Sequence, residues 1–210
     1  MRPMRYAPDL ERLPLAEYRE LLRVQNLLPS RRILLDGLEE KFKRMQALGV
    51  HTAADLLGAL SSPAKMEAFA ATSGIPAAYL TILRRETGAL QPKAVPLSDF
   101  PGVDPALIAD LATRGIHHTK AYFEQPDDPG GDLYALCDLS RINGVGPGAA
   151  RMFLDAGYRS AADIAAADAE GMLRRIEADN AAHRYYRGTL GLKDMQFCIR
   201  LAGLLHRLCR

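Results

Sequence analysis

Residues Ile142 to Leu154 read I-N-G-V-G-P-G-A-A-R-M-F-L, and this stretch decides the fold. Gly144 and Gly146 flank one apolar residue, Val145, a pattern that suits a tight turn because glycine reaches positive φ without steric cost. Pro147 stands where a helix can begin, since its fixed φ fits the first helical position and its missing N–H would be unsatisfied there. Ala150 is small enough for a preceding helix to cross closely, and Phe153 and Leu154 return to the same face one turn later. The stretch predicts a helix, a glycine hairpin and a second helix opening at about Pro147.

The order apolar-x-Gly-apolar-Gly-x-x-x-Ala-x-x-apolar, filled by Ile142, Gly144, Val145, Gly146, Ala150 and Phe153, resembles the helix-hairpin-helix motif. The resemblance implies that the hairpin amides and the N-terminus of the second helix cradle a nucleic-acid phosphate without reading base sequence. Elementary electrostatics agrees, because unpaired amides at the positive end of a helix dipole form an anion site. Gly144, Val145, Gly146, Gly148 and Arg151 are the candidate nucleic-acid-binding residues, with Arg141 as a flanking contact. The competing expectation is that the glycines serve close helix packing alone.

Working outward, Gly49-Val50-His51-Thr52-Ala53-Ala54-Asp55-Leu56 recurs as Gly157-Tyr158-Arg159-Ser160-Ala161-Ala162-Asp163-Ile164. In both, glycine ends one helix and Thr or Ser caps the next, with Asp three residues on. Gly115-Ile116-His117-His118-Thr119 reads as a third copy, with its threonine one residue late. Hairpin positions upstream are degenerate. Phe100-Pro101-Gly102-Val103-Asp104-Pro105 carries Asp104 in place of the second glycine, where it suits an N-cap, and Gly37 is followed by Glu39 and Glu40. Acids there would repel phosphate, so these units are expected to be structural.

Helical spacing predicts helices over Leu15 to Leu28, from Ser30–Arg31 through Gly37 to Gly49, Ser62 to Thr72, from Pro76, Asp168 to Asn180, and Lys193 to Leu208. No alternating segment is long enough for a strand. The fold class is all-α: tandem helix-hairpin-helix units with paired linking helices. The expected organisation is an N-terminal arm and helix (1–30), a first helical half with degenerate units (31–124), a Pro- and Asp-rich linker (125–132) and a second half holding the full motif (133–210), with Gln91 to Pro96 inside the first half also reading as a linker.

The 210 residues carry a net charge of only +2, unevenly distributed. Residues 1–50 and 151–210 each hold ten Lys/Arg against seven Asp/Glu, while 101–150 hold three against seven, so a basic stripe is one arrangement the ends allow. No apolar run reaches the ~18 to 20 residues of a membrane span, and the start has no signal-like apolar core, so a cytoplasmic protein is expected. Cys137, Cys198 and Cys209 lack metal or disulfide spacing. The five histidines offer no ligand spacing, and no cofactor or metal is expected. Asp163 lies near the distance at which a glycosylase would carry its catalytic Asp, but the Ser160 cap already accounts for it, and no Walker loop, G-x-S-x-G or nuclease-like carboxylate cluster occurs. A non-catalytic protein is expected.

Taken whole, Leu28-Pro29-Ser30-Arg31-Arg32, Ser73-Gly74-Ile75-Pro76 through Glu86, and Asp138-Leu139-Ser140-Arg141-Ile142 resemble an uncharacterised bacterial family of helix-hairpin-helix repeat proteins, defined as a domain of unknown function. The resemblance spans Leu27 to Leu205 and implies the fold, not an activity. Two readings stand. One is a module gripping the backbone of DNA, or RNA, without sequence preference. The other is a scaffold that recruits a protein partner on a helix face. Tyr185 and Tyr186 beside Arg184 and Arg187 suit either, by stacking on bases or anchoring an interface, the alternative being that one of the tyrosines packs in the core. The tail arginines Arg200, Arg207 and Arg210 would matter only if they share the hairpin's side.

Overall fold

The computed structural model describes residues 5–125, 131–186 and 188–209. These form α-helices and short 3-10 segments with no β-strand among the described residues, so the protein is all-α. No helix there is long and apolar enough to cross a membrane. The chain packs as two units, Asp9–Gln91 and Met1–Pro8 with Pro92–Arg210. The packing therefore divides at Gln91–Pro92, inside the first stretch read as a linker and ahead of the one at 125–132. Residues 126–130 of that linker lie outside the described residues, as do 1–4, Arg187 and Arg210.

In the unit Asp9–Gln91, α1 (Leu15–Val24), α2 (Leu38–Ala47), α3 (Ala53–Ala59), α4 (Pro63–Ser73) and α5 (Ala77–Gly88) enclose Leu15, Tyr18, Leu22, Phe42, Met45, Leu56, Tyr79 and Leu83. Thr52 caps α3 in a reciprocal box: its hydroxyl accepts the Asp55 N–H at 3.1 Å, and the Asp55 carboxylate accepts the Thr52 N–H at 2.9 Å. Ser62 caps α4 as expected, accepting the Lys65 N–H at 3.2 Å.

Two helical expectations fail here. α1 ends at Val24, not Leu28, because Gln25 turns to extended backbone and donates through Nε2 to buried Glu86 at 2.6 Å. The helix expected to run through Gly37 is two pieces. Pro29–Leu35 is a 3-10 segment with Pro29 at its start and no cap from Ser30, and Gly37 sits at φ +57° before α2 begins. A left-handed residue cannot continue a right-handed helix, so the apolar spacing across Gly37 is coincidental.

The second unit holds α6 (Pro105–Thr113), α7 (Thr119–Phe123), α8 (Gly131–Leu139), α9 (Pro147–Asp155), α10 (Ala161–Ala165), α11 (Ala169–His183) and α12 (Leu192–Leu208). Asp104 caps α6 as expected, accepting the Ala106 N–H at 2.9 Å. Ser160 caps α10 through the Asp163 N–H at 3.0 Å. The third glycine unit corrects the sequence register. His118, three residues after Gly115, is the cap, its Nδ1 accepting the Ala121 N–H at 3.1 Å. Thr119 is instead buried and meets the Tyr6 hydroxyl at 2.7 Å. No extra residue is inserted; an imidazole has taken the threonine's place. α10 and α11 pack on α12, whose Met195, Ala202, Leu205 and Leu208 are buried.

Candidate nucleic-acid interface

α8 passes through Ser140, Arg141 and Ile142 into the hairpin, and α9 leaves it. Ile142 is buried and its carbonyl accepts the Val145 N–H at 2.9 Å, closing the turn. Gly144 takes φ +90°, the conformation that requires glycine. Ala150, Met152, Phe153 and Leu154 are buried and fix α9 against the unit's core, and Val145 is nearly so.

Gly146 has a different reason to be glycine. Its φ of −84° and ψ of 177° are open to any residue, and a Cβ built there meets nothing within 4 Å. Neither backbone strain nor packing calls for glycine at this exposed position. What a side chain would take away is approach to the backbone. Gly146 is the N-cap of α9 and supplies no side-chain bond, and Pro147 has no N–H, so the first amides of the helix carry no cap. Among the described residues the backbone N–H groups of Gly144, Gly146, Gly148 and Ala149 have no backbone acceptor.

Gly148 serves packing. Its built Cβ would lie 3.0 Å from the Tyr185 carbonyl oxygen, so the chain after α11 runs against this turn of α9. Arg184, at φ +54°, makes the left-handed bend that brings it there. Tyr185 stacks on His183 with ring centroids 5.3 Å apart, and Tyr186 is the more exposed of the two tyrosines.

The two arginines are not poised over the hairpin. Arg141 is 2% exposed. Its guanidinium pairs with Asp138, donates to the carbonyls of Tyr6 at 2.8 Å and Arg5 at 2.9 Å, and lies 4.2 Å over the Phe123 ring. Asp138 in turn accepts the Ala161 N–H at 2.7 Å. The expected flanking contact is thus a core strut joining the N-terminal segment, α7, α8 and α10. Arg151 is partly exposed, with Nε 3.1 Å from Asp155 Oδ1. Burial works against its charge, but the Asp155 carboxylate and a Tyr185 side-chain hydrogen bond outweigh it and raise its pKa. Its guanidinium also covers Gly102, whose built Cβ would lie 3.4 Å away.

One constellation was missed in the sequence. Asp155, at the end of α9, and Asp179 and His183, on α11, bring their ligand atoms within 4.8 Å of one another. The i, i+4 spacing of Asp179 and His183 was visible, but the third member depends on α9 packing against α11.

No curated protein and no solved structure matches the chain. Residues 137–177, from α8 through the hairpin, α9 and α10 into α11, match the family model described as a SAM-like helix-hairpin-helix tandem.

Proposed function

We propose that the protein is a non-catalytic module that binds the phosphate backbone of DNA, without reading sequence, through the hairpin from Gly144 to Ala149. The observation that carries this reading is Gly146: glycine there serves neither dihedral nor packing, and it leaves a run of uncapped amides open at a helix N-terminus. The glycine caps that recur at Gly49, Gly115 and Gly157 support a repeat architecture in which the other units act as framework. RNA offers the same phosphate chemistry and is the comparison ligand.

The test is fluorescence anisotropy of labelled duplex DNA with wild type and Gly146→Asp. Aspartate at this N-cap satisfies the amides from within, so stability should hold or rise by a few tenths of a kcal/mol. Bound phosphate loses its donors and meets a like charge, so affinity should fall about 10- to 100-fold, the loss of one or two charge-assisted hydrogen bonds. Unchanged affinity in a folded Gly146→Asp protein would sink the reading.

A second reading, a protein-interaction scaffold, draws on a separate observation. Val24, Leu28, Ile33 and Leu35 are all exposed in the stretch around the 3-10 segment of the Asp9–Gln91 unit. If wild type shows no binding even at low salt, that face becomes the one to test for a protein partner.

A further inference from the structure

We propose that Asp155, Asp179 and His183 form a binding site for a divalent transition-metal ion, on the face where α9 and α11 pack. This inference is independent of the nucleic-acid reading.

Asp179 and His183 are one helical turn apart on α11, so both side chains rise from the same face, the spacing by which a single helix chelates an ion. Asp155 approaches from the last residue of α9. The ligand atoms of all three lie within 4.8 Å of one another, close enough for a common ion after small rotamer adjustments. Asp179 supplies the second observation. Its Oδ1 lies 3.3 Å from His183 Nδ1, while its Oδ2 is buried with no hydrogen-bond partner among the described residues. A carboxylate oxygen closed off from water and left without a donor is unfavourable, and a coordinated cation removes that penalty.

The imidazole is already held in place. His183 Nδ1 lies 3.2 Å from the Asp179 carbonyl, and the ring stacks on Tyr185 at an interplanar angle of 9°. Two carboxylates, Asp155 and Asp179, face this point, and the Arg151 guanidinium pairs with the first of them.

The donor set names the ion class. One nitrogen with two carboxylates suits zinc, cobalt or manganese better than calcium, which takes six to eight oxygens. Three protein ligands leave coordination positions open to solvent, unlike a closed structural zinc site. Asp155 must serve both the ion and Arg151, so loading is expected to loosen the Arg151 ion pair.

Cobalt(II) is the probe, titrated into the full-length protein with no nucleic acid present and followed by visible absorption and thermal shift. Wild type should show saturable uptake and a raised Tm. His183→Ala and Asp179→Asn, checked for helicity by circular dichroism, should lose the absorption change or bind at least about 10- to 100-fold more weakly. No uptake by wild type, uptake retained by either folded variant, or thiolate-to-cobalt charge-transfer bands pointing to the cysteines would each overturn the site. Because DNA is absent, failure here is distinguishable from failure of the backbone-binding reading.

Discussion

Replacing Arg141 by methionine separates a strut from a ligand contact. The methionine side chain replaces the aliphatic stem and stops short of the guanidinium, so the change removes the charge and its donors while keeping the apolar part of the buried side chain. Asp138 would keep the Ala161 N–H at 2.7 Å but lose the guanidinium that pairs with it while staying buried. The carbonyls of Tyr6 and Arg5 would lose their guanidinium donors. Breaking a buried pair from one side costs about 3–5 kcal/mol, because the remaining charge stays desolvated. With a urea m-value of about 2 kcal/mol/M, the midpoint should fall by roughly 1.5–2.5 M.

Urea unfolding followed by circular dichroism measures that shift, and the double variant Arg141→Met with Asp138→Asn supplies the control. The amide can still accept from Ala161 but leaves no buried charge, so about 1–3 kcal/mol should return. If Arg141→Met stays within about 1 kcal/mol of wild type and instead weakens DNA binding, Arg141 is a surface contact and the argument from burial is refuted.

Two other outcomes follow from the same geometry. Gly144→Ala forces a Cβ onto φ +90° and should cost about 1–2 kcal/mol in thermal unfolding, whereas a neutral result would mean the hairpin relaxes to another turn. Burial pushes the Cys137 thiol, with Asp138 adding to the effect, and the Cys198 thiol up to about 12 from the ordinary 9.0. A raised thiol pKa favours the folded state fully below the unfolded value, and that contribution is lost as pH climbs from about 9 towards 12. Stability should therefore fall on the alkaline side, and a thiol reagent near pH 8 should label native protein only as fast as it opens; immediate labelling of both thiols would contradict their burial.

What could be read from the sequence was local. Thr52 with Asp55, Ser160 with Asp163, and Asp104 before Pro105 announce helix starts because the cap and the backbone N–H that donates to it lie within four residues. Gly37 was misread because the apolar positions Leu38, Phe42 and Met45 keep helical phase with residues ahead of the break, and phase alone cannot register a left-handed residue between two helices. His118 was missed as a cap because threonine next to it looked the better candidate, whereas the spacing from Gly115 matches that from Gly49 to Thr52. Arg141 could not be placed at all from its neighbours. Its partners include Tyr6, 135 residues away in the chain, and a buried guanidinium has the same letter as an exposed one.

The candidate interface is therefore defined by what surrounds the hairpin's charges. Arg141 is spent inside the core and Arg151 is engaged by Asp155, so the open amides must supply most of any attraction for phosphate. Such a site neutralises few phosphates, and log K should fall with log salt at only about −0.9 for each phosphate whose counterions are released. A measured slope of about −1 to −2 fits one hairpin acting alone. A much steeper slope, retained in Gly146→Asp, would place the main contacts on other cations and reduce this hairpin to a framework element like those at Gly102 and Gly37.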